Sequence, residues 1–429
     1  MMPPAQSELN DNPADRQSTY GTLLFDIIIF LLPALKFIEF RMGGSLYFTE
    51  ALLLFLFLFM LVRNTIQLNL RMARTLIILC ILWLYGQVLT DVIRDTPFID
   101  YSRGWSRIIF TIINFSVLFL LIHNKRRLIV IFSAGLALGG VLEYFFNPSV
   151  FAAGHPWKFG VGAPLSLAFV LIVTAISQTK PLLRSGLLFM ASMLNMHLAF
   201  RSMAGILFLT AVYLLVQWKW GKDNRRHFSL SLKNVILFSI ILGGASLLLI
   251  KGYGYAASHG YLGEDAMQLY QLQSYGKLGL IVGGRSEILV SGQAIMDSPI
   301  IGHGSWAKNE KYADALIALK HLLGYYAITG DDTGLIPTHS HLFGSWVEAG
   351  IFGASFWIWV LFLPTLGIAQ LFQTQDKLTP LFAFICFQFL WDIFFSPYAG
   401  DRRFITPYYI VAIMTLLTGL GHKKSVAST

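Results

Sequence analysis

The chain has 429 residues, of which 55% are hydrophobic and only 13% are charged, and its mean hydropathy is +0.62. Soluble proteins carry about 25% charged residues, so this composition excludes a soluble globular fold and indicates a protein that crosses a membrane several times. The net charge of +9 would suit nucleic acid. However, the Lys and Arg residues of the chain lie mostly in every second connection between its apolar segments, as membrane topology requires, which argues against such a partner.

Twelve apolar segments follow one another along the chain, each close to the ~20 residues that a membrane helix needs. They cover residues 21–40, 45–62, 76–92, 105–122, 128–146, 159–176, 181–200, 202–218, 235–250, 351–372, 378–395 and 404–420. The sequence therefore predicts an all-α, polytopic membrane protein with about twelve transmembrane helices. The polar start has no basic region or cleavage site of a signal peptide, so the first segment is expected to begin insertion.

Basic residues predict the orientation of these segments. Cytoplasmic connections carry an excess of Lys and Arg, and here the even-numbered connections do so, with the densest patch at 219–233. Residues 1–20 and 421–429 would then be cytoplasmic tails. The first nine helices would occupy 21–250, one large periplasmic loop 251–338, and the last three helices 339–420.

The large loop contains a stretch with helical periodicity. In "KNEKYADALIALKHLLGYY", apolar residues recur at the spacing of one helix face: Tyr312, Ala313, Leu316, Ile317, Leu319 and Leu323. The pattern predicts an amphipathic helix that lies on the membrane surface or on the helix bundle.

Ionisable residues in or beside membrane segments are costly and usually face a cavity. Those that do not fit the charge pattern of the connections all fall on the outer side: Arg201, Arg285, His339, His341, Glu348, Asp392, Asp401, Arg402 and Arg403. This grouping predicts a site at the outer face.

Each of these residues also has a simpler interpretation. Arg201 could extend to the interface from a short hairpin, and Arg285 could be a solvated loop residue. Glu348 could be a packed, protonated carboxyl. Asp392 could have no role other than pairing with Arg402 or Arg403. The pair Asp331 and Asp332 in "TGDDTG" resembles a metal ligand pair, but its flanking glycines favour a turn.

Helix geometry relates the two histidines to the rest of their segment. At roughly 100° per residue, His341 and Glu348 share one face, whereas His339 aligns with Gly350 and Gly353. One helix from His339 to Phe372 would be roughly 50 Å long, which exceeds the ~30 Å membrane core. We therefore expect a break near Gly350 or an extension above the membrane.

Three stretches resemble motifs of the bacterial O-antigen ligase and polymerase superfamily. "HSHLFGSWVEAGIFG" is similar to a motif with a histidine, a glutamate nine residues on and two spaced glycines, which selects His339, Glu348, Gly350 and Gly353. "GGRSEILVSGQAIMDSPIIGHG" resembles the Gly-Arg and Pro-x-x-Gly-x-Gly motif at the large outer loop. "FRSMAG" resembles a short Ser-Arg-Gly stretch at the start of a span, and the resemblance covers about residues 160 to 370.

The resemblance implies a fold like that of the C class of glycosyltransferases and an enzyme in the inner membrane. Members transfer a glycan from undecaprenyl diphosphate to an acceptor hydroxyl at the periplasmic face, without a nucleotide sugar or a required metal. By resemblance Arg201 and Arg285 would bind the diphosphate and His339 would be the catalytic base. His341, Glu348, Arg402 and Arg403 are candidates for supporting roles. Many members have another residue at the position of His341, which leaves the identity of the base open.

Three functions remain open at this point. The first is a ligase that moves lipid-linked O-antigen onto lipid A–core in lipopolysaccharide biosynthesis, and the second is a polymerase that joins lipid-linked repeat units. A single dominant outer loop favours the ligase. A transporter is a more distant alternative, which would predict internal repeats, broken helices and charges at mid-membrane.

Overall fold

The computed structural model describes residues 13–41, 44–176, 178–221, 232–274, 285–322, 333–374 and 376–419. This part of the chain is almost entirely helical, because its long apolar runs satisfy every backbone group within the segment. The helices are α1 (Pro13–Ala34), α2 (Phe48–Val62), α3 (Arg71–Ile93), α4 (Phe98–Ile122), α5 (Arg126–Phe146), α6 (Val150–Gly154), α7 (Gly162–Ala175), α8 (Pro181–His197), α9 (Arg201–Gly221), α10 (Leu232–Ser258), α11 (Glu264–Ser274), α12 (Glu287–Asp297), α13 (Glu310–Leu322), α14 (His341–Gln373), α15 (Thr379–Phe395) and α16 (Arg402–Gly419).

Within the described residues, six helical segments are long and apolar enough to cross a membrane, which confirms a multi-pass membrane protein. They are α3, α4, α5, the segment Trp157–Ala175 that includes α7, the segment Arg201–Lys219 of α9, and α14. The shorter helices α2 and α15 are also apolar. Every one of the twelve predicted segments overlaps a helix. The number of twelve spans stays a prediction, because only six are established within the described residues.

The first two predicted segments were drawn too long where they meet. After α1 the chain forms a short 3₁₀ turn, Leu35–Phe37, and then the strand β1 (Glu39–Arg41). This strand pairs antiparallel with β2 (Ser45–Tyr47), directly before α2. Apolar residues such as Phe40 and Leu46 raised the hydropathy here, but hydropathy does not distinguish a hairpin from a helix end.

The large loop is mostly helical where the structure describes it. The end of α10, together with α11, α12 and α13, falls within the predicted 251–338. The predicted amphipathic helix is confirmed as α13, and it packs through Tyr312 on Val290 of α12 and Val347 of α14. Asp297 joins α12 to α13, because it accepts hydrogen bonds from Lys311 (2.7 Å) and Tyr312 (2.6 Å). These bonds lower the pKa of Asp297 to about 2. Leu323 lies outside the described residues.

The predicted break in the last long segment is confirmed at Gly350, whose φ of 59° and ψ of −146° are non-helical. A break leaves backbone N–H and C=O groups without partners inside the helix. The loop 300–304 provides hydrogen-bond partners for these groups. The N–H groups of His303 and Gly304 donate to the carbonyls of Val347 (2.7 Å) and Glu348 (3.0 Å). In return, the N–H of Ile351 donates to the carbonyl of Ile300 (3.1 Å). The Pro-x-x-Gly-x-Gly stretch therefore closes the break in α14.

Candidate functional site

A cavity of about 860 Å³ lies among the ends of α5, α7, α9, α15 and α16; we call it the larger cavity. Its lining includes five of the outer-side residues selected from sequence: Arg285, His339, Asp392, Asp401 and Arg402. A second space of about 430 Å³, the smaller cavity, lies beside α13 and the start of α14. His339 lines both cavities.

The charges of the larger cavity divide it into two regions. In one region the ions pair with each other: Lys36 donates to Glu143 and Asp401, both at 2.6 Å, and Arg402 donates to Asp392 at 2.6 Å. The other region contains Lys158 and Arg285, and neither forms a salt bridge within the part of the chain that the structure describes. This region therefore has an excess of positive charge, which suits an anionic ligand.

Arg285 is held against an aromatic surface on α15. Its guanidinium lies 5.5 Å from the ring centre of Trp391 and 5.8 Å from that of Phe395, a cation–π arrangement. Burial lowers the pKa of Arg285, Glu287 acts in the opposite direction, and the charge of Arg201 lowers it further. An arginine remains charged under such a shift, so Arg285 is a fixed cation in the larger cavity.

Arg201 begins α9, as the sequence predicts. Its guanidinium lies over Tyr253 at 5.3 Å from the ring centre, and the larger cavity is lined by the next residue, Ser202, rather than by Arg201. Arg201 is nevertheless within electrostatic range of both Lys158 and Arg285. The structure thus brings three cations and the N-terminus of α9 to one region, although only two of the cations line the cavity.

His339 precedes α14 instead of lying on it, so the predicted alignment of this residue with Gly350 and Gly353 on one helix face is wrong. Ser340 is the N-cap: its hydroxyl oxygen accepts from the N–H of Phe343 at 3.0 Å. The His339 side chain is exposed to the cavities. The surrounding protein removes water from the imidazole, which lowers the pKa of His339. The carboxylate of Glu287 acts in the opposite direction, and the charges of Arg285 and Lys320 lower the pKa further, so the net change is a decrease. The imidazole is therefore neutral at neutral pH.

His341 is fully buried. Its Nδ1 donates to the carbonyl of Ser396 at 2.6 Å, and its ring meets the edges of Trp357 and Tyr398 at about 5 Å. Although the sequence places His341 and Glu348 on one helix face, the hydrogen bond and ring contacts of His341 are made with Ser396, Trp357 and Tyr398 instead. His341 thus holds the carbonyl of Ser396 and packs against these rings, and it lines neither of the two cavities.

Glu348 forms an ion pair with Arg107 of α4, and both side chains are mostly buried. Arg107 also donates to the carbonyl of Tyr398 at 3.2 Å. Glu348 is therefore packed, as the simpler interpretation of the sequence expects, and its partner is the guanidinium of Arg107. Both residues line the smaller cavity.

The two arginines after α15 have different surroundings. Arg402 pairs with Asp392, as one interpretation of the sequence predicted, and lines the larger cavity. Arg403 makes a two-point contact with the buried carboxylate of Glu50, with Nε–Oε1 at 2.5 Å and Nη2–Oε2 at 2.7 Å. Arg403 lines neither of the two cavities, so it ties α16 to α2 rather than supporting the site.

Sequence reasoning missed Lys158 and Arg107. Lys158 follows the Pro156 turn and could have been recognised as a cation that begins an apolar segment on the outer side. Arg107 lies inside the fourth predicted segment, 105–122, and was not singled out among the ionisable residues. Its partner Glu348 lies 241 residues away along the chain, so no local pattern relates the two.

Among the described residues, no group of three His, Cys, Asp or Glu side chains is arranged to hold a metal ion. Asp331 and Asp332 lie outside the described residues. Independence from metals stays a prediction.

The described fold and cavities define a multi-pass membrane protein with a positively charged cavity at one end of its helix bundle. No protein-family model matches the chain, and a search of curated proteins finds no relative. The resemblance to O-antigen ligases and polymerases therefore stays a prediction that rests on three short motifs.

Proposed function

We propose that this protein is a membrane glycosyltransferase that moves a polyprenyl-diphosphate-linked glycan onto an acceptor hydroxyl, in the manner of the O-antigen ligases. The observation that carries the proposal is that Arg285 and His339 line one cavity. An excess of cations and a neutral imidazole at the same cavity are what this reaction needs.

The cations suit the leaving group. As the bond between the sugar and the diphosphate breaks, negative charge develops on the phosphate oxygens. Fixed cations lower the free energy of that state, and arginine can form two parallel hydrogen bonds to phosphate. Arg285 and Lys158 would contact the diphosphate, and Arg201 with the N-terminus of α9 would add a favourable field.

His339 suits the acceptor. A sugar hydroxyl is a weak nucleophile until a base removes its proton, and imidazole is suited to that step near neutral pH. The acceptor oxygen forms a bond to the anomeric carbon while the bond from that carbon to the diphosphate oxygen breaks. The proton passes to His339, and the diphosphate leaves with the electron pair of the broken bond.

The acceptor class follows from the resemblance. Lipid A–core at the periplasmic face of the bacterial inner membrane is the proposed acceptor, and the donor is an undecaprenyl-diphosphate-linked glycan. Transfer to a second lipid-linked repeat unit would make the protein a polymerase instead.

One feature of α14 is also expected of a transporter, namely its break. In transporters the broken backbone lines the substrate path. Here the loop 300–304 occupies the backbone groups at Gly350, and Gly350 lines neither of the two cavities. The break therefore favours the transferase over the transporter.

The glycan pattern of a deletion strain tests the proposal. Loss of a ligase should leave core without O-antigen and accumulate lipid-linked polymer, whereas loss of a polymerase should leave core with one repeat. Arg285→Ala should not complement the deletion. Arg63→Ala, which changes an exposed arginine at the end of α2, is the matched control and should complement it. Unchanged glycans in the deletion strain would refute both functions.

A further inference from the structure

His339 separates two cavities of different character, and this arrangement raises the question of what occupies the smaller one. A base that removes a proton from one substrate and lies beside the leaving group of another must be accessible to both. The larger cavity has the excess of cations that a diphosphate requires. The smaller cavity is therefore free for the second substrate.

The charges of the smaller cavity are balanced, unlike those of the larger one. Arg107 pairs with Glu348, and Lys320 lies 3.6 Å from Glu287, so each of these cations has its own carboxylate. Such pairs provide hydrogen-bond donors and acceptors without a net field. They suit a neutral ligand with many hydroxyl groups better than an anion.

Trp306 is one of two aromatic residues that line the smaller cavity, with Tyr398, and it has an unusual backbone conformation, with φ at +50°. A bulky residue in the left-handed region is strained, and such strain persists where the surroundings hold the residue in place. Arg103 holds the indole by lying over it at 5.7 Å from the ring centre. A fixed aromatic face beside a few placed polar groups is the usual lining of a small-molecule site.

We infer that the smaller cavity binds the acceptor, specifically a neutral, hydroxylated sugar at the end of the acceptor glycan. Trp306 packs against the sugar ring, Glu287 and Glu348 accept hydrogen bonds from its hydroxyls, and His339 removes the proton from the attacking one. The volume of about 430 Å³ falls within the range of ligand pockets. This inference rests on the proposed transferase function.

The test separates the two substrates. Purified protein in liposomes is given lipid-linked glycan as donor, with lipid A–core as acceptor in one arm and lipid-linked repeat unit in the other. The KM for donor and the KM for acceptor are measured separately. Ile317→Trp places a large side chain in the smaller cavity, and Leu322→Trp, at an exposed position of the same helix, is its control.

We expect Ile317→Trp to raise the KM of the acceptor at least ten-fold, with the KM of the donor unchanged within two-fold, and Leu322→Trp to alter neither. An unchanged donor KM also shows that the variant is folded. Trp306→Ala should have the same selective effect, and Trp306→Phe should restore part of the acceptor affinity. The arm in which the effect occurs identifies the acceptor as lipid A–core or as a growing chain.

Two results would overturn the inference, and they differ in meaning. If the unmodified protein transfers glycan to neither acceptor, the proposed function fails and the inference fails with it. If transfer occurs but both Ile317→Trp and Trp306→Ala leave the KM of the acceptor unchanged, only the assignment of the smaller cavity is wrong.

Discussion

At the scale of single residues, Ser340 determines which of the two neighbouring histidines can meet a substrate. With φ at −151° and ψ at 139° it is extended, and it begins α14 by capping the N–H of Phe343. His339, before the cap, therefore lies in the loop and reaches both cavities. His341, after the cap, begins the helix and is buried.

The two histidines should respond differently to substitution. His339→Ala should reduce the rate of glycan transfer by the ~10²- to 10⁴-fold that is typical of a missing general base, while the protein accumulates normally. His341→Ala should reduce accumulation, because it leaves the carbonyl of Ser396 without its donor. Transfer rates in liposomes and protein amounts in membranes measure the two effects. Normal transfer by His339→Ala would contradict the assignment.

The pH dependence of transfer follows from the environment of His339. Its pKa is lowered from the ordinary value of 6.5, so the imidazole stays neutral to a more acid pH than a free histidine. As the pH falls through this lowered pKa, the imidazole gains a proton and cannot act as a base. We expect kcat/KM, which reports the free protein, to be constant at neutral pH and to fall on an acid limb below 6.5. A midpoint above that value would show that another group governs the reaction.

Substitutions of Arg285 and Arg201 should reduce the rate of glycan transfer to different extents. Arg285→Ala should abolish detectable transfer, and Arg201→Ala should reduce it less, because only Arg285 lines the larger cavity. Arg285→Lys should recover part of the activity, since lysine keeps the charge but not the planar two-point contact or the stacking on Trp391. Rates of transfer by the purified variants measure this order. Full activity of Arg285→Lys would reduce the residue to a general electrostatic role.

The sequence predicted residue types better than residue positions. It selected Arg285 and His339 from their unusual place on the outer side, and the structure brings both to one cavity. It misplaced His339 on a helix face, although a serine before an apolar run is a frequent N-cap. The pairs Arg107–Glu348 and Arg403–Glu50 could not be foreseen, because each joins residues more than 200 positions apart.

At the scale of elements, the break in α14 and the loop before α13 form one unit. Gly302 and Gly304 both have positive φ, at 85° and 97°, and Gly350 lies against Gly302. A Cβ at Gly350 would meet the carbonyl oxygen of Ile300 at 2.0 Å. Only glycine therefore permits the backbone hydrogen bonds that close the break.

Gly350→Ala should destabilise the protein. The backbone conformation of Gly350 lies near a region that is essentially restricted to glycine, which costs ~1–3 kcal/mol for other residues, and the overlap with Ile300 adds to this. Gly186→Ala is the matched control, because Gly186 lies within α8 and a Cβ there meets nothing within 4 Å. There alanine should be neutral or stabilising by up to about 1 kcal/mol. Thermal unfolding in detergent compares the two, and equal midpoints would contradict this account of the break.

The length of the segment predicted the break, because a single helix would exceed the membrane. The way the break is closed could not be predicted. Its hydrogen bonds join Ile300, His303 and Gly304 to residues some 44 to 51 positions further on, and nothing in the local composition of either stretch indicates this pairing.

At the scale of the whole molecule, the basic connections and the two cavities lie at opposite ends of the helix bundle. At one end, Arg184 at the start of α8 donates to the carbonyl of Lys377 at 2.8 Å, and Arg126 at the start of α5 pairs with Asp376. These basic residues come from connections that the charge pattern assigned to one side. The two cavities lie at the other end of α14, beside His339. The bundle is thus consistent with the predicted alternation, and the side that faces the periplasm stays a prediction.

Cysteine labelling tests this orientation, and the two native cysteines, Cys80 and Cys386, are buried and should not interfere. Ala315→Cys places a thiol on the exposed face of α13, and Thr65→Cys places one in the exposed connection after α2. A reagent that cannot cross the membrane should label Ala315→Cys in intact spheroplasts and Thr65→Cys only after lysis. The basic connections, including the one after α2, should stay in the cytoplasm. The reverse pattern would place both cavities in the cytoplasm, where the proposed periplasmic transfer to lipid A–core could not take place.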